Sequence, residues 1–487
     1  MNDQIRSLQP QVLWDHFTDL NAVPRPSKKE ERVIAFMKEF GEKLGLPTRV
    51  DEVGNVIIKK PASKGMEDRE TIVMQSHLDM VHQKNNDTTF NFDQQGIEMY
   101  IDGDWVKAKG TTLGADNGIG VAAIMSLLAS SDIPHPPIEA LFTIDEETGM
   151  TGAKALKGGM LTGKMLLNLD TEEDKELTIG CAGGVDVTAT GNYTQAKPAG
   201  GKAFKLSVKG LTGGHSGGDI HLGRGNANKL MNRVLLALSK AYDIGIASID
   251  GGSLRNAIPR ESVAVIVVAD EHVQALRKTA AELGDILRSE YKTTDPNLQL
   301  SVEDADMPAQ VMDNDFLQKL LRVTYACPNG IYRMSPDIKG LVQSSNNLAR
   351  VLVKDGSYSL QCLTRSSVES EKEDLRDAIT GAFELLGAGN ITYGGAYPGW
   401  QPNPDATIVK LMSQTYEEMF DEPAHVNAVH AGLECGIIGI NYPNMEMISF
   451  GPNIYGAHSP DERVQISSVQ KFWKYLLEVL KMIPSKN

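Results

Sequence analysis

The sequence is short of cysteine, of basic charge and of long apolar runs, and each shortage excludes a class of protein. Four cysteines in 487 residues cannot form the dense disulfide framework of a small secreted domain. Lysine and arginine number 48 against 63 acidic residues, and the net charge of −15 argues against nucleic acid or an anionic membrane as a partner. The longest apolar run, from Val263 to Ala269, is far shorter than the ~20 residues that span a bilayer.

The remaining composition is that of an ordinary globular protein. Apolar residues make up 41% of the chain and charged residues 23%. The N-terminal residues Met-Asn-Asp-Gln-Ile-Arg-Ser lack the apolar region of a secretory signal. At ~150 residues per domain, the length allows two to three domains. The sequence therefore predicts a cytoplasmic, multidomain protein with reduced thiols.

Apolar strands alternate with helices in the first part of the chain. We predict strands from Thr71 to Val81, Ile138 to Ile144 and Met165 to Leu169, and an apolar helix after a glycine-rich turn at residues 114–120. Ser27 has a glutamate three residues later, which is the spacing of a capping box for an earlier helix. The alternation predicts an α/β domain with a mostly parallel sheet.

The pattern changes near Cys181, where a second set of strands and helices begins. We predict two αβ sets, between residues 202 and 291 and between 315 and 386, which indicates an inserted α+β domain of two similar halves. The segment from Ile391 to Pro404 is rich in glycine and proline and is interpreted as the return linker. The predicted boundaries are 185–397 for the insert, with 1–184 and 398–487 forming a discontinuous first domain.

Acidic residues and histidines follow the predicted strands, where open α/β sheets place their sites. His77 and Asp79 are two apart on a strand, so both side chains point the same way. The other members of the set are Asp116, Glu146, Glu147, Asp170 and His458. Each residue alone favours a solvated acid or a structural histidine. Together they offer the nitrogen and oxygen ligands that suit Zn²⁺ or a similar ion.

These residues stand in five segments: Ser-His-Leu-Asp-Met-Val, Gly-Ala-Asp-Asn-Gly-Ile-Gly, Asp-Glu-Glu-Thr-Gly, Asn-Leu-Asp-Thr-Glu-Glu and Gly-Ala-His-Ser-Pro-Asp-Glu. In this order and spacing they resemble the zinc-dependent family of dipeptidases and deacylases that includes carnosinases, aminoacylases and tripeptidases. The resemblance covers essentially the whole chain. It implies a mixed, mostly parallel sheet of the di-zinc exopeptidase type with helices on both faces, and an inserted lid domain that limits substrate length.

The resemblance also implies the ligands of two Zn²⁺ ions, with Co²⁺ or Mn²⁺ as substitutes. Asp116 would bridge the two ions. His77 and Asp170 would complete one site, and Glu147 and His458 the other. A close cluster of such carboxylates without metal would repel and take up protons, which favours bound metal on chemical grounds as well.

Two further residues of the set have other roles in the family. The resemblance makes Glu146 the general base, which takes a proton from a water held between the ions and passes it to the leaving amine. Asp79 would orient His77. The implied reaction is hydrolysis of dipeptides with a free N-terminus and broad sequence, including Xaa-His. Relatives of this type are often homodimers, and the same is expected here.

The predicted insert carries substrate-binding candidates. His215, within Gly-Gly-His-Ser-Gly-Gly-Asp, resembles the family's lid histidine, which would polarise the substrate carbonyl or hold the oxyanion. Asn256 matches a lid motif that reaches substrate in relatives. Arg365 is predicted to bind the C-terminal carboxylate because a guanidinium fits a carboxylate with two parallel hydrogen bonds. A turn histidine and a surface arginine are the alternative interpretations of His215 and Arg365. Glu434 would meet the substrate's amine or belong to a buried ion pair.

Two alternatives to the dipeptidase reaction stay open. A deacylase of N-acyl amino acids or a tripeptidase would use the same chemistry on another substrate. A catalytically inactive binding protein would keep the fold without hydrolysis, although the intact ligand set argues against it. Comparing the hydrolysis of a free-amine dipeptide with that of its N-acetyl form separates the dipeptidase from the deacylase or tripeptidase. Metal analysis of the purified protein tests for the inactive binding protein.

Overall fold

The chain leaves one structural unit at Gly180 and returns to it at Trp400. The computed structural model describes residues 2–85 and 87–486. The main unit comprises Met1–Gly180, Trp400–Ala428 and Leu433–Asn487, and the insert comprises Cys181–Gly399 with Val429–Gly432. In the described part of the chain, no helix is both long enough and apolar enough to cross a membrane.

The first part of the main unit alternates helices and strands. Its helices are α1 (Asp3–Arg6), α2 (Gln11–Asn21), α3 (Glu31–Lys43), α4 (Ala115–Ala129), α5 (Glu146–Gly149) and α6 (Thr151–Ala155). Its strands are β1 (Thr48–Val50), β2 (Val56–Lys60), β3 (Ile72–His77), β4 (Met99–Asp102), β5 (Trp105–Ala108), β6 (Ile138–Thr143), β7 (Met165–Asn168) and β8 (Glu176–Cys181). Every residue of β3, β6 and β7 is buried, as expected for strands covered on both faces.

The insert is built on an antiparallel sheet. The strands of the insert are β9 (Gly183–Asn192), β10 (Gln195–Ala196), β11 (Lys202–Lys209), β12 (Gly245–Gly251), β13 (Ser262–Val268), β14 (Gln299–Ala305), β15 (Val311–Met312), β16 (Gly330–Met334), β17 (Val342–Lys354), β18 (Ser357–Ser366) and β19 (Asn390–Tyr397). Strands β10 and β15 pair with each other in a small separate sheet. The helices of the insert are α7 (Ala227–Ala241), α8 (Val273–Glu290), α9 (Asn314–Ala326) and α10 (Glu369–Leu385). Helices and sheet share one buried core that includes Phe204, Leu235 and Phe383.

The strand order of the insert is symmetrical about its centre. The order is β14-β11-β13-β12-β17-β18-β9-β19, with β16 also paired to β17. Strands β12 and β17 meet in the middle. Each is followed along the chain by a hairpin partner and a helix, so each half repeats one αβ arrangement.

The last part of the chain completes the main unit. Its elements are α11 (Thr407–Phe420), β20 (His425–Val429), α12 (Glu434–Asn441), β21 (Glu446–Ser449), β22 (Ile454–Tyr455), β23 (Arg463–Gln465) and α13 (Ile466–Met482). The main sheet has the order β1-β2-β6-β3-β7-β21-β8-β20. Neighbours from β6 to β21 are parallel, and the pairs β1–β2, β2–β6 and β21–β8 are antiparallel. The prediction of a mixed, mostly parallel α/β sheet with a separate inserted domain is confirmed.

Two local expectations are wrong. The predicted capping box does not form, because α3 begins at Glu31 and its N-cap residue, Glu30, makes no side-chain cap. The hydroxyl of Ser27 donates instead to Asp79 Oδ2 at 2.8 Å. The predicted linker is a strand over half its length, because β19 pairs with β9 along the sheet edge. An edge strand tolerates the glycines that suggested a linker.

Candidate metal centre

The acidic residues and histidines of the main unit gather where its parallel strands end. Strand β3 ends at His77, α5 begins with Glu146 three residues after β6, and Asp170 follows β7 by two residues. The carboxyl ends of parallel strands meet at the same edge of a sheet. Asp116 in the first turn of α4 and His458 in the turn after β22 reach the same edge.

Helix α4 can place Asp116 there because its glycine allows close packing on the sheet. A Cβ on Gly120 would lie 2.5 Å from Ser76 Oγ and 2.7 Å from the carbonyl oxygen of Leu169. Any larger residue would therefore push the helix away from the strand ends. This contact explains the glycine at position 120 of the glycine-rich segment.

Two overlapping groups share the carboxylate of Asp116. Its Oδ1 lies 3.2 Å from His77 Nε2, which is also 3.4 Å from Asp170 Oδ1. Its Oδ2 lies 3.2 Å from His458 Nε2, which is also 2.9 Å from Glu147 Oε2. Within each group the ligand atoms lie within 4.8 Å of one another. The two oxygens of one aspartate thus face two separate sets of nitrogen and oxygen ligands.

The electrostatics of this cluster favour positive charge. Burial opposes protonation of His77, but the charge of Asp170 and hydrogen bonding with Asp116 outweigh it and raise the pKa of the ring well above its usual value. Hydrogen bonds with Asp116 and Glu147 raise the pKa of His458 to about 11. Burial, together with the neighbouring carboxylates, raises the pKa of Asp170 to about 6. The carboxylates that favour a proton on the two histidines would also favour a bound cation.

The donor set fits a pair of divalent cations. Among the described residues, no lysine or arginine forms an ion pair with Asp116, Glu147 or Asp170. Glu147 is 4% exposed, and its Oε1 is buried without a hydrogen-bond partner. A buried carboxylate oxygen without a partner is costly, and a cation would satisfy it. His77, Asp116 and Asp170 would hold one cation, and Asp116, Glu147 and His458 the other.

Asp79 connects the histidine to the glutamates. Its Oδ1 lies 3.4 Å from His77 Nδ1 and accepts the backbone N–H of Glu146 at 3.0 Å. Its Oδ2 accepts the N–H of Glu147 at 3.3 Å and the hydroxyl of Ser27 at 2.8 Å. With Nδ1 directed at Asp79, the Nε2 of His77 is the nitrogen that faces Asp116 and Asp170. One buried carboxylate therefore orients a ligand and caps the helix that carries Glu146 and Glu147.

Replacing Asp79 with asparagine should weaken divalent metal binding about 10- to 100-fold, the usual effect of removing a ligand's orienting partner. The amide nitrogen of asparagine would replace one of the two oxygens, so either the N–H of Glu146 or the N–H of Glu147 would lose its acceptor. Affinity is measured by competition with a chromophoric chelator. Asp93→Asn, at a surface carboxylate paired with Lys29, is the matched control. Equal affinity in the Asp79→Asn and control variants would contradict the role of Asp79.

Glu146 lies beside the ligands without belonging to the two groups that share Asp116. Its carboxylate comes within 4.8 Å of ligand atoms on His77 and Glu147. Burial raises its pKa well above the usual value for a glutamate, and the charges of Asp170, Glu434 and Glu147 act in the same direction. A carboxylate so placed is able to accept a proton and release it again.

Glu434 is a fully buried carboxylate beneath the same strand ends. It accepts from Gln75 Nε2 at 2.6 Å and from Thr143 Oγ1 at 2.7 Å, and its Oε1 is buried without a hydrogen-bond partner. Burial raises its pKa to about 8. Neither lysine nor arginine pairs with it in the described part of the chain, so the structure offers no buried ion pair to explain it.

Two supporting residues were missed by the sequence analysis. The buried Glu462 accepts four successive backbone N–H groups at 2.7–3.2 Å, those of Leu113, Gly114, Ala115 and Asp116. The buried guanidinium of Arg25 donates to the carbonyl oxygens of Leu78, Asp79 and Gly114. Together they fix the backbone on either side of the cluster. A signal existed for each, because Glu462 ends the segment that contains His458 and Arg25 lies between two prolines.

The candidates in the insert form a cluster of their own. Nδ1 of His215 accepts the N–H groups of Gly217 at 3.2 Å and Gly218 at 3.0 Å, which leaves Nε2 to carry the proton and donate. Burial, with the charge of Arg365, lowers the pKa of His215, so the ring is neutral. Asn256 is exposed, and its backbone carbonyl accepts the N–H of Ser216 at 2.8 Å.

Arg365 is a buried cation without an acidic partner. Its side chain is 4% exposed, its Nη1 donates to the hydroxyl of Tyr397 at 2.5 Å, and its Nε has no hydrogen-bond partner. No acidic residue in the described part of the chain pairs with it. A buried charge normally has a partner of opposite sign. The interpretation of Arg365 as a surface arginine is therefore wrong.

This fold and this ligand set define a metallopeptidase, and the chain belongs to peptidase family M20/M25/M40, which matches residues 73–482. It is 43% identical to the cytosol non-specific dipeptidase of Escherichia coli (strain K12) over 484 residues, covering 99% of this chain and 100% of the relative. The crystal structure of aminoacylhistidine dipeptidase from Vibrio alginolyticus is also 43% identical, with a TM-score of 0.93 over 99% of both chains.

A more distant structure shares only the fold. Aminopeptidase PepT from Bacillus cereus is 15% identical, with a TM-score of 0.57 over 98% of this chain and 99% of its own. The family resemblance that the five sequence segments indicated is confirmed by the family match and the two relatives at 43% identity.

Proposed function

We propose that this protein is a cytosolic metallodipeptidase that hydrolyses dipeptides with a free N-terminus, including aminoacyl-histidine. The observation that carries the proposal is Asp116, whose two oxygens face separate ligand groups, with Glu146 beside both. The names of the relatives at 43% identity support the same substrate class and compartment.

Two Zn²⁺ ions are the proposed cofactors, because three carboxylates and two imidazoles are ligands that suit zinc. Co²⁺ and Mn²⁺ are proposed substitutes. When bound, such ions polarise a carbonyl and lower the pKa of water from about 15.7 to about 7. Asp116 would bridge them, His77 and Asp170 would complete one site, and Glu147 and His458 the other.

The proposed task of Glu146 is proton transfer. Its carboxylate takes a proton from the attacking water and delivers it to the nitrogen of the leaving amine, which typically contributes 10²–10⁴-fold. Asp79 supports this step indirectly, because it accepts the N–H of Glu146 and so fixes the start of α5.

The insert is proposed to recognise the substrate as a lid. Arg365 would bind the C-terminal carboxylate, since its buried guanidinium has a free Nε–H and no acidic partner. His215 would donate its Nε2–H to the substrate carbonyl. The exposed amide of Asn256 would add a further hydrogen bond. In the main unit, the buried Glu434 would attract the free amine.

The proposed substrate class is tested with a dipeptide, its N-acetyl form, an N-acetyl amino acid and a tripeptide. We expect the free dipeptide to be hydrolysed at least about 10²-fold faster than the two N-acetyl compounds, because blocking the amine leaves a buried acceptor unpaired. We also expect it to be hydrolysed faster than the tripeptide, because the lid is proposed to limit substrate length. Faster cleavage of the N-acetyl amino acid or of the tripeptide would establish the deacylase or the tripeptidase instead. A preparation that binds no metal and cleaves none of them would support the inactive binding protein.

We also propose that the protein is a homodimer, as dipeptidases that it resembles often are. Sedimentation equilibrium on the purified protein tests this, since one chain has a mass of 53.0 kDa. A single species at the mass of one chain would contradict the proposal.

A further inference from the structure

A second histidine, His430, belongs to the polar cluster of the insert. His430 lies in the short segment Val429–Gly432, which returns to the insert after the chain has left it. Its side chain is 8% exposed, and its Nε2 lies 2.7 Å from the hydroxyl oxygen of Ser345. A buried imidazole bound to a buried serine needs a structural or functional reason.

Ser345 stands directly beside Arg365. Strands β17 and β18 are antiparallel, and their register pairs Ser345 with Arg365. Side chains of directly opposite residues lie on the same face of a sheet, about 4.5–5.5 Å apart at Cβ. The hydroxyl that His430 binds therefore belongs to the immediate cross-strand neighbour of the guanidinium.

Gly217 marks the point where the cluster converges. A Cβ at this position would lie 2.1 Å from the carbonyl oxygen of His430, 3.1 Å from His215 Cε1 and 3.2 Å from Arg365 Nε. The absence of a side chain thus lets the two histidines and the arginine approach one another. The unpartnered Nε–H of Arg365 is at this point.

The cluster carries a single positive charge. Burial, then the charges of Arg365, His215 and His221, lower the pKa of His430 to about 3, so its ring is neutral at physiological pH. His215 is neutral for the same reasons of burial and the charge of Arg365. The carboxylate of Asp186 feels the charge of Arg365, but it forms its ion pair with Arg255, at 3.4 Å. The single positive charge of Arg365 would therefore be balanced by the single negative charge of a substrate carboxylate.

We infer that His430 is a positioning residue for substrate binding: through Ser345, and through its own backbone beside Gly217, it holds Arg365 in the orientation that receives the substrate's C-terminal carboxylate. This inference rests on the proposed function, because it assumes that Arg365 binds that carboxylate. His430 itself need not touch the substrate. Its loss should affect the recognition of the carboxylate and leave proton transfer unchanged.

The test compares a dipeptide with its C-terminal amide, using the full metal-loaded protein. In His430→Gln and in Ser345→Ala, KM for the free acid should rise about tenfold, the loss of one typical hydrogen bond, while kcat stays within about twofold. KM for the amide should not change, because the amide makes no ionic contact with Arg365. His425→Gln, at an exposed histidine of the neighbouring strand β20, is the matched control.

A merely structural role gives a different result. If His430 and Ser345 only maintain packing, acid and amide will lose activity equally and the melting temperature will fall, which would overturn the inference. Should His430→Gln fail to fold, Ser345→Ala decides the question alone, because it removes only a hydroxyl. Unchanged KM for the free acid in the folded variants would also overturn it.

Arg365→Lys separates failure of this inference from failure of the carboxylate subsite. If Arg365→Lys does not change the preference for acid over amide, the subsite itself is wrong. If Arg365→Lys removes the preference and the His430 and Ser345 variants keep it, the subsite stands and only the positioning role is wrong.

Discussion

Replacing Glu146 with glutamine is expected to leave the bound metal unchanged and to lower kcat by about 10²–10⁴-fold. Glutamine has the shape of glutamate but cannot accept a proton from water. Glu146 is not a member of either ligand group that contains Asp116, although it forms a separate candidate group with His77 and Glu147, so both proposed cation sites keep all their ligands in this variant. Metal content by atomic emission and kcat on a free dipeptide, measured on one preparation, check both parts.

Glu147→Gln is the matched control, since it makes the same substitution one residue later. Glu147 Oε2 lies 2.9 Å from His458 Nε2, within the second ligand group. We therefore expect this variant to bind metal more weakly and to recover activity when metal is added in excess. Equal metal content and equal activity in the two variants would remove the distinction between base and ligand.

Removing divalent cations by dialysis against a chelator should abolish hydrolysis and destabilise the main unit. Without cations the carboxylates of Asp116, Glu147 and Asp170 share a buried space with no lysine or arginine to pair them in the described part of the chain. A ligand present at about 1,000 times its Kd contributes about 4 kcal/mol to the free energy of unfolding. The melting temperature should therefore fall by about 5–10 °C.

Activity and melting temperature are measured before dialysis, after dialysis and after Zn²⁺ is restored. Asp116→Asn serves as the control, because the loss of the shared carboxylate should leave its melting temperature nearly insensitive to the chelator. Full hydrolysis by a preparation shown to contain no metal would refute the proposed metal centre, whatever the change in stability.

The sequence predicted the architecture and the set of polar residues because both have local signals. Buried parallel strands are continuous apolar runs, and polar residues that follow such runs reach one edge of the sheet. His77, Glu147 and Asp170 were found in this way. One oxygen of Asp116 faces His77 and the other faces His458. This arrangement depends on distances in the folded protein, which a local sequence pattern does not give.

The long-range contacts of the supporting residues had no such local signal. Ser27 has the spacing of a helix cap, yet its hydroxyl binds a carboxylate 52 positions later in the chain. Glu462 binds backbone N–H groups 346–349 positions earlier. Contacts of this range depend on the completed fold, so a local rule gives either no answer or, for Ser27, the wrong one. The edge strand β19 was missed for a related reason, because pairing with β9 outweighs its glycine content.

The substrate-binding roles of His215, Asn256 and Arg365 stay predictions. The structure supplies reasons that the sequence lacked, namely the fixed tautomer of His215 and the unpaired charge of Arg365. Asn256 is exposed, with the carbonyl groups before and after it held by the amide of Asn347 at 3.0 and 2.8 Å. The acid-and-amide comparison tests the role of Arg365.

The segment Val429–Gly432 has a consequence for how the protein can be made in pieces. A fragment that ends at Gly399 contains every strand of the insert's sheet but lacks the imidazole that Ser345 binds. During synthesis the ribosome must therefore translate a further helix and strand before the insert can be completed. A gene split at position 400 should therefore yield an amino-terminal product whose insert lacks His430 and whose main sheet lacks β21, so that neither unit is complete.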